Sequence, residues 1–368
     1  VTNTKATKSG ALFLALTLAL LASACGSDDN TSASGDDNTT TTAAADKVDC
    51  ATGTLSGAGA TFPATIVQQW VKDFGTECPG ATVNYQAVGS GAGIQQFTAG
   101  TVDFGASDVP MKADEQAAAE AKYGAVLHIP WTAGAIAVEY NLSGVSDLQL
   151  SPETLAGIFA GKITKWDDAA VKADNSGKSL PSTGIQVIHR SDGSGTTGVF
   201  TAYLTAVAPA VWTAGSGKDV PWPTGQGAKG SDGVTAAVKQ TSGAIGYSEV
   251  SFAKGAGLGM AKLKNASGKY VGPDAAAVSA ALAEATVGSD LKLTINYKPT
   301  AAAAYPISTT SYVLVPKKPA DAAKAKLLRA FFLYAVTAGQ AKAESLYYAP
   351  LPSAIASQAK TAAESVGA

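Results

Sequence analysis

Cysteine and histidine are the scarcest chemistry in this 368-residue chain, with three cysteines and only two histidines, His128 and His189. So few thiols in so long a chain exclude a disulfide scaffold, and no Cys/His group stands at metal-binding spacing, which argues against a metal centre. Charge is thin too, at 15% of residues, and no Lys/Arg cluster runs along the sequence, which disfavours a nucleic-acid groove. Nucleophile motifs are missing: Ser90 and Ser194 do not lie in G-x-S-x-G and neither histidine has an evident triad partner, so no enzyme is expected. What the chain does have is glycine, 39 residues, and 46% hydrophobic side chains, in a length that suits two ordinary domains.

The two ends differ in kind. Residues 1–24 carry Lys5 and Lys8 and then an apolar run from Ala11 to Ala22 broken only by Thr17, which predicts a cleaved export signal, with a retained anchor as the alternative. The string LASAC, Leu21 to Cys25, resembles a bacterial lipobox and implies a lipidated Cys25 as the first mature residue. Ala22 stands where that pattern usually has Leu or a branched residue, and ordinary peptidase cleavage nearby is the alternative. Residues 26–49 hold six Asp, no aromatic and one branched apolar residue, Val48, so 25–49 is expected to be a lipid-bearing cysteine and a solvated tether. Without the lysines and aspartates of the first 49 residues, the body 50–368 has 24 basic and 23 acidic groups. A body this near neutrality does not attract anions wholesale, so any anion site must rest on local geometry. Cys50 and Cys78 remain. Export permits their pairing, closing a loop of about 28 residues, with a buried free pair or a metal site as alternatives.

From Thr52 onward short apolar segments alternate with amphipathic ones, as in an α/β protein. Ile66, Trp70 and Phe74 recur at helical spacing after Phe62-Pro63; 81–88 reads as a strand, GSGAG at 89–93 as a flexible turn, and 101–108 as a strand with Asp108 at its tip. The stretch 125–141 is long for one strand, and Pro130 and Gly134 predict a break where the chain passes between lobes. Ser151-Pro152 reads as a helix cap, 185–207 as strand, loop and helix, and 305–316 as a return strand. Trp131 is expected in the core. The loop bearing Trp212 and Trp222 reads either as a cleft lid or as packing on one lobe.

Four features converge on small oxyanions. Thr61-Phe62 precede a helix, Ser90 sits at a second helix start, and HRSDGSGTTG at 189–198 sets Arg190, Ser194, Gly195 and Thr196 ahead of a third. Helix N-termini present unpaired N–H groups and a positive dipole end, and arginine adds a rigid fork of donors. Asp192 is placed to orient Arg190. Asp108 is useful beside an oxyanion only if the ligand carries a proton that the carboxylate can accept. Plain caps and a surface turn are the structural alternatives for each feature.

Together GAGATFPA (57–64), NYQAVGSGAG (84–93), VDFGASD (102–108), GKITKWDD (161–168), RSDGSGTT (190–197), GAIGYSE (243–249) and YPISTTSY (305–312) resemble the phosphate-binding lipoproteins of Pst-type ABC importers. The blocks stand in that family's order across about residues 52–355. The resemblance implies an α/β type 2 periplasmic-binding-protein fold, two lobes with a central ligand cleft. Lobe 1 is expected from 50–137 plus 306–368, and 138–305 as inserted lobe 2. It implies phosphate contacts from Thr61, Phe62, Ser90, Asp108, Arg190, Ser194, Gly195 and Thr196, with Asp192 holding Arg190. Gly91 replaces the second serine of the family's GSSGG turn, and His189 is peripheral. The implied protein is a lipid-anchored monomer outside the cytoplasm that hands phosphate to transmembrane permease subunits, with no cofactor and no nucleic-acid partner. A binder of sulfate, molybdate or a small carboxylate is the main rival, ahead of a hydrolase or an adhesive surface protein.

Overall fold

The computed structural model describes residues 49–368. The expected export signal (1–24), lipidation at Cys25 and all of the tether except Asp49 lie outside the described residues. The body opens with β1 (Gly53–Gly59), α1 (Ala64–Glu77), β2 (Ala81–Ala87), α2 (Ser90–Ala99), β3 (Phe104–Ser107), α3 (Ala113–Tyr123) and β4 (Val126–Tyr140). The middle holds β5 (Gln149–Leu150), α4 (Pro152–Phe159), α5 (Ala169–Asp174), β6 (Gln186–Arg190), α6 (Gly195–Val207), β7 (Gln226–Ala228), α7 (Gly230–Gln240), β8 (Ala244–Glu249) and α8 (Val250–Ala256). Short strands β9 (Gly259–Met260), β10 (Lys262–Lys264) and β11 (Tyr270–Val271) lead to α9 (Ala275–Leu282), then β12 (Thr286–Val287) and β13 (Leu293–Thr294). The chain returns through β14 (Ser308–Pro316), α10 (Ala322–Val336), two 3-10 turns and α11 (Ser353–Glu364).

Most strands join one sheet in the order β2-β1-β3-β14-β4-β8-β6-β7, with β9 also on β4. Its two wings are parallel: β1 pairs with β2 and β3, and β6 with β7 and β8. Between them β14 and β4 run antiparallel, which makes the fold two α/β lobes sharing a seam. Residues 126–135 of β4 pair with β14 and residues 136–140 with β8, so one strand serves both lobes. The return passes beside it, with the Ile136 N–H donating to the Ile307 carbonyl and the Tyr305 hydroxyl to the Ile136 carbonyl, both at 2.9 Å.

Two expectations need correction. The strand β4 is continuous over 15 residues, although Pro130 and Gly134 predict a break. Pro130, lacking an N–H, falls at the register shift between Ser311 and Tyr312, where the ladder skips Trp131 and a proline is tolerated. GSGAG is not a flexible turn beyond Gly89: α2 begins at Ser90, and its glycines are there for close approach. A Cβ on Gly93 would stand 2.3 Å from the Gly59 Cα, and one on Gly91 would stand 3.2 Å from Gly193, so side chains there would push α2 off β1 and off the Arg190 loop.

Each lobe has an aromatic core. In the first, Trp70 and Trp131 pack at 5.7 Å and Phe74 meets Phe331 at 5.3 Å; in the second, Phe159 and Phe200 meet at 4.7 Å and Phe200 stacks on Tyr247 at 4.4 Å. Trp212 is buried and Trp222 stacks on His189 at 4.7 Å, so that loop packs on its lobe instead of forming a lid. Ser151 caps α4 by accepting from the Thr154 N–H.

Cys50 and Cys78 form a disulfide that ties the segment before β1 to the end of α1, with Cα atoms 5.3 Å apart and a sequence separation of 28. Closing that loop stabilises the native body by about 3 kcal/mol through the unfolded state. The double variant Cys50→Ser/Cys78→Ser is therefore expected to unfold at a lower denaturant midpoint and, because its unfolded chain is free to expand, with a steeper slope. An identical midpoint in the two proteins contradicts this.

Candidate functional site

The starts of four helices meet at the seam between the lobes. Thr61 and Phe62 precede α1 and Ser90 opens α2 in the first lobe, while Gly195 opens α6 and Gly230 opens α7 in the second. They are stitched across the gap: Ser90 Oγ accepts from the Gly195 N–H at 3.0 Å, and Thr61 Oγ1 lies 2.8 Å from Ser231 Oγ. First-turn N–H groups have no acceptor within their own helix, so four positive helix ends point at one buried region. Gly195 is required there, because a Cβ would stand 2.5 Å from Ser90 Oγ and 2.7 Å from the Asp108 nitrogen.

Arg190 ends β6 and is buried. Its Nε and Nη2 donate to the two carboxylate oxygens of Asp192 at 2.7 and 2.5 Å, and Nη1 donates to Thr61 Oγ1 across the gap at 3.1 Å. A guanidinium has five N–H donors, so two remain for a ligand after these three bonds. Asp192 also accepts from the Gly230 N–H at 3.0 Å. Partial burial pushes the Asp192 carboxyl up, but the Arg190 hydrogen bond and charge outweigh it and hold the group below the usual carboxylate range. Asp192 is thus a charged brace that sets the plane of the arginine fork.

Asp108 follows β3 and is buried at the same place. Its Oδ1 accepts from the Ser311 hydroxyl at 2.8 Å, Oδ2 accepts from the Thr196 hydroxyl at 3.4 Å, and its own N–H donates to Ser90 Oγ at 3.3 Å. Burial pushes its carboxyl up to about 6, against the opposing pull of the Ser311 hydroxyl, the Arg190 charge, Thr196 and Ser90. At neutral pH it is an ionised acceptor. Ser194 caps α6, its Oγ accepting from the Thr197 N–H at 3.1 Å, which leaves its hydroxyl proton available. The Phe62 side chain is buried, and its carbonyl accepts from the Tyr348 hydroxyl at 2.7 Å.

Cross-lobe hydrogen bonds bring Thr61, Ser90, Asp108, Arg190, Gly195 and Thr196 together, with Asp192 behind Arg190, while Phe62 and Ser194 stand beside them as the chain neighbours of Thr61 and Gly195. Three further residues were not picked out by sequence reasoning. Ser231 faces Thr61, Ser311 holds Asp108, and Tyr247 supports the Arg190 loop, accepting from the Arg190 N–H at 3.1 Å and meeting Thr197 Oγ1 at 2.6 Å. Ser311 and Tyr247 lie inside the quoted blocks YPISTTSY and GAIGYSE, so the signal was present without a role attached. Among the described residues no group of three or more His, Cys, Asp or Glu side chains could hold a metal ion.

Two lobes closing on a buried polar point define a solute-binding protein. A profile described as a PBP superfamily domain matches residues 40–338. Phosphate-binding protein PstS 3 of Mycobacterium tuberculosis is 41% identical over 356 residues, 95% of each chain, and phosphate-binding protein PstS of Xylella fastidiosa is 40% identical over 304 residues, 81% of each. A solved high-affinity periplasmic phosphate-binding protein, PfluDING, bound with phosphate at pH 8.5, superposes with a TM-score of 0.69 at 25% identity, over 84% of this chain and 93% of its own. The chain belongs to the PstS family of the PBP superfamily, which consists of non-catalytic solute-binding proteins.

Replacing Ser311 tests the electrostatics of Asp108. Ser311→Ala removes the hydrogen bond at Oδ1, so the ionised form loses support and the Asp108 midpoint should move above about 6. Carboxyl carbon NMR on the ligand-free protein reads that midpoint, and a downward or absent movement contradicts the assignment.

Proposed function

We propose that this protein binds inorganic phosphate with high affinity outside the cytoplasm and delivers it to an ABC-type membrane permease. The observation that carries the reading is the juxtaposition of an ionised acceptor, Asp108, with the Arg190 fork and four helix starts. A ligand suited to that surround is an oxyanion with a proton to give. Monohydrogen phosphate has one, whereas sulfate at neutral pH has none and would leave an acceptor facing the Asp108 carboxylate. The ligand contacts come from Thr61, Phe62, Ser90, Asp108, Arg190, Ser194, Gly195 and Thr196, with Asp192 as the orienting brace.

Binding follows from the two-lobe geometry. Phosphate meets Thr61, Phe62, Ser90 and Asp108 on the first lobe, and the Arg190 loop completes the donor set as the inserted lobe swings in. The pivot is the β4 and β14 crossing, with residues 50–137 and 306–368 on one side and 138–305 on the other. Closure excludes water and so strengthens every charge-assisted bond. Release is a population shift toward the open arrangement favoured by the permease. The chain acts as a monomer carried on a lipid at Cys25, with the acidic segment as its tether.

Calorimetry against phosphate, arsenate, sulfate and molybdate tests the reading. Above pH 7 sulfate should bind at least about 1000-fold more weakly than phosphate, as expected when a buried acceptor is left unpaired. Because burial raises Asp108 from 3.8 to about 6, its ionised form is lost as pH falls through about 6, and the preference should shrink there. Asp108→Asn should shrink it at every pH. Equal affinities for phosphate and sulfate in the native protein overturn the assignment.

A further inference from the structure

The lobes also meet in an ion pair that the anion site does not use. Lys218 lies in the loop between α6 and β7, and its Nζ donates to both carboxylate oxygens of Glu115 on α3, at 2.5 and 2.7 Å. The Lys218 and Glu115 side chains are only 10% and 24% exposed, so water and salt screen this pair less than one on the open surface. The ion pairs Arg190–Asp192, Lys262–Asp147 and Lys324–Asp103 differ in kind, since each joins residues of a single lobe.

Both partners are anchored at their own ends. Glu115 Oε2 accepts from the Lys112 N–H at 2.9 Å, which fixes the carboxylate over the start of α3. Only residues 109–112 separate that start from Asp108. On the other lobe, the loop is fastened to itself and to α6: Trp212 Nε1 donates to the Gly215 carbonyl at 2.7 Å, and the Gly217 N–H donates to Thr201 Oγ1 at 3.1 Å. The Lys218 carbonyl accepts from the Ser194 N–H at 2.8 Å, just ahead of the first turn of α6.

The pair is therefore a bridge between two segments that each lead directly to the anion site, one to Asp108 and the other to Ser194. Among the described residues, neither charged head bonds to any residue expected to meet phosphate. Its two halves ride on different lobes, so swinging the lobes apart pulls the charges out of contact, and closing them brings the charges together.

We propose that Glu115 and Lys218 form a latch that holds the lobes closed over the ligand and sets how long the ligand stays. They are positioning residues that act through closure, without touching the anion. The proposal rests on the phosphate reading above. Phosphate enters the open form, in which the latch is apart, so the pair leaves the association rate alone. Escape waits on opening, so the pair slows release, and the affinity changes by the same factor as the release rate.

Release of radiolabelled phosphate chased with unlabelled phosphate, with calorimetry alongside, tests this on the full chain and on Glu115→Gln, Lys218→Met and the double variant. The Gln side chain keeps an oxygen for the Lys112 N–H, and Met keeps the length of the lysine stem, so both preserve the local fold. Each single variant should release phosphate about fivefold faster and bind it about fivefold more weakly, with an unchanged association rate. The double variant should lose no more than either single one, because only one interaction is removed. Raising the salt concentration should narrow the gap between the native protein and the variants. Native release rates in both single variants, losses that add in the double variant, or slower association with unchanged release overturn the latch. A native protein that binds no phosphate overturns instead the reading on which the latch depends.

Discussion

A carboxylate buried at the meeting point of two lobes must be held by donors or give up its charge, and Asp108 does the first within narrow limits. Ser311 supplies one oxygen and Thr196 the other, while the Arg190 charge stabilises the anion from the second lobe. These partners offset most of the desolvation penalty and keep the group ionised at neutral pH. The other polar contacts of the site are arranged around that constraint. Asp192 ties two edges of the Arg190 fork so that it cannot simply collapse onto Asp108, and Thr61 takes a third donor. What is left over, two guanidinium N–H groups, helix-start N–H groups and one carboxylate acceptor, matches a tetrahedral oxyanion that still holds a proton.

The fold exists to bring those groups together and to let them part. No single lobe contains the set: Thr61, Ser90 and Asp108 stand on one wing of the sheet, Arg190 and the start of α6 on the other. The wings are joined through β4, which pairs with β14 over its first part and with β8 over its last. Glycine makes the approach possible at Gly195 and Gly93, where any side chain would hold the elements apart. Because the body is nearly neutral, the proposed selectivity rests on this local arrangement and not on a broad surface field.

Much of this was legible in the sequence. RSDGSGTT sets Arg190 ahead of a helix start and VDFGASD sets Asp108 at a strand tip, and the resemblance of the ordered blocks to a known family implied the two-lobe fold. Two things were not legible, for physical reasons. The continuity of β4 depends on where Pro130 falls in the ladder, and a missing N–H is harmless only at a register shift that β14 supplies from far along the chain. Ser231 lies outside the quoted blocks, and Ser311 and Tyr247 lie inside them without a role attached; all three acquire roles only when strands and helices distant in sequence pack side by side.

The position of one hydrogen decides whether Asp108 acts as the acceptor that selects the ligand. Neutron diffraction from deuterium-exchanged crystals grown with phosphate near neutral pH would locate it. A deuteron lying between an anion oxygen and an Asp108 carboxylate oxygen is expected, with the Arg190 guanidinium on the opposite side of the anion. A phosphate bound without a deuteron at Asp108, or bound away from Asp108 and Arg190 altogether, would contradict that role.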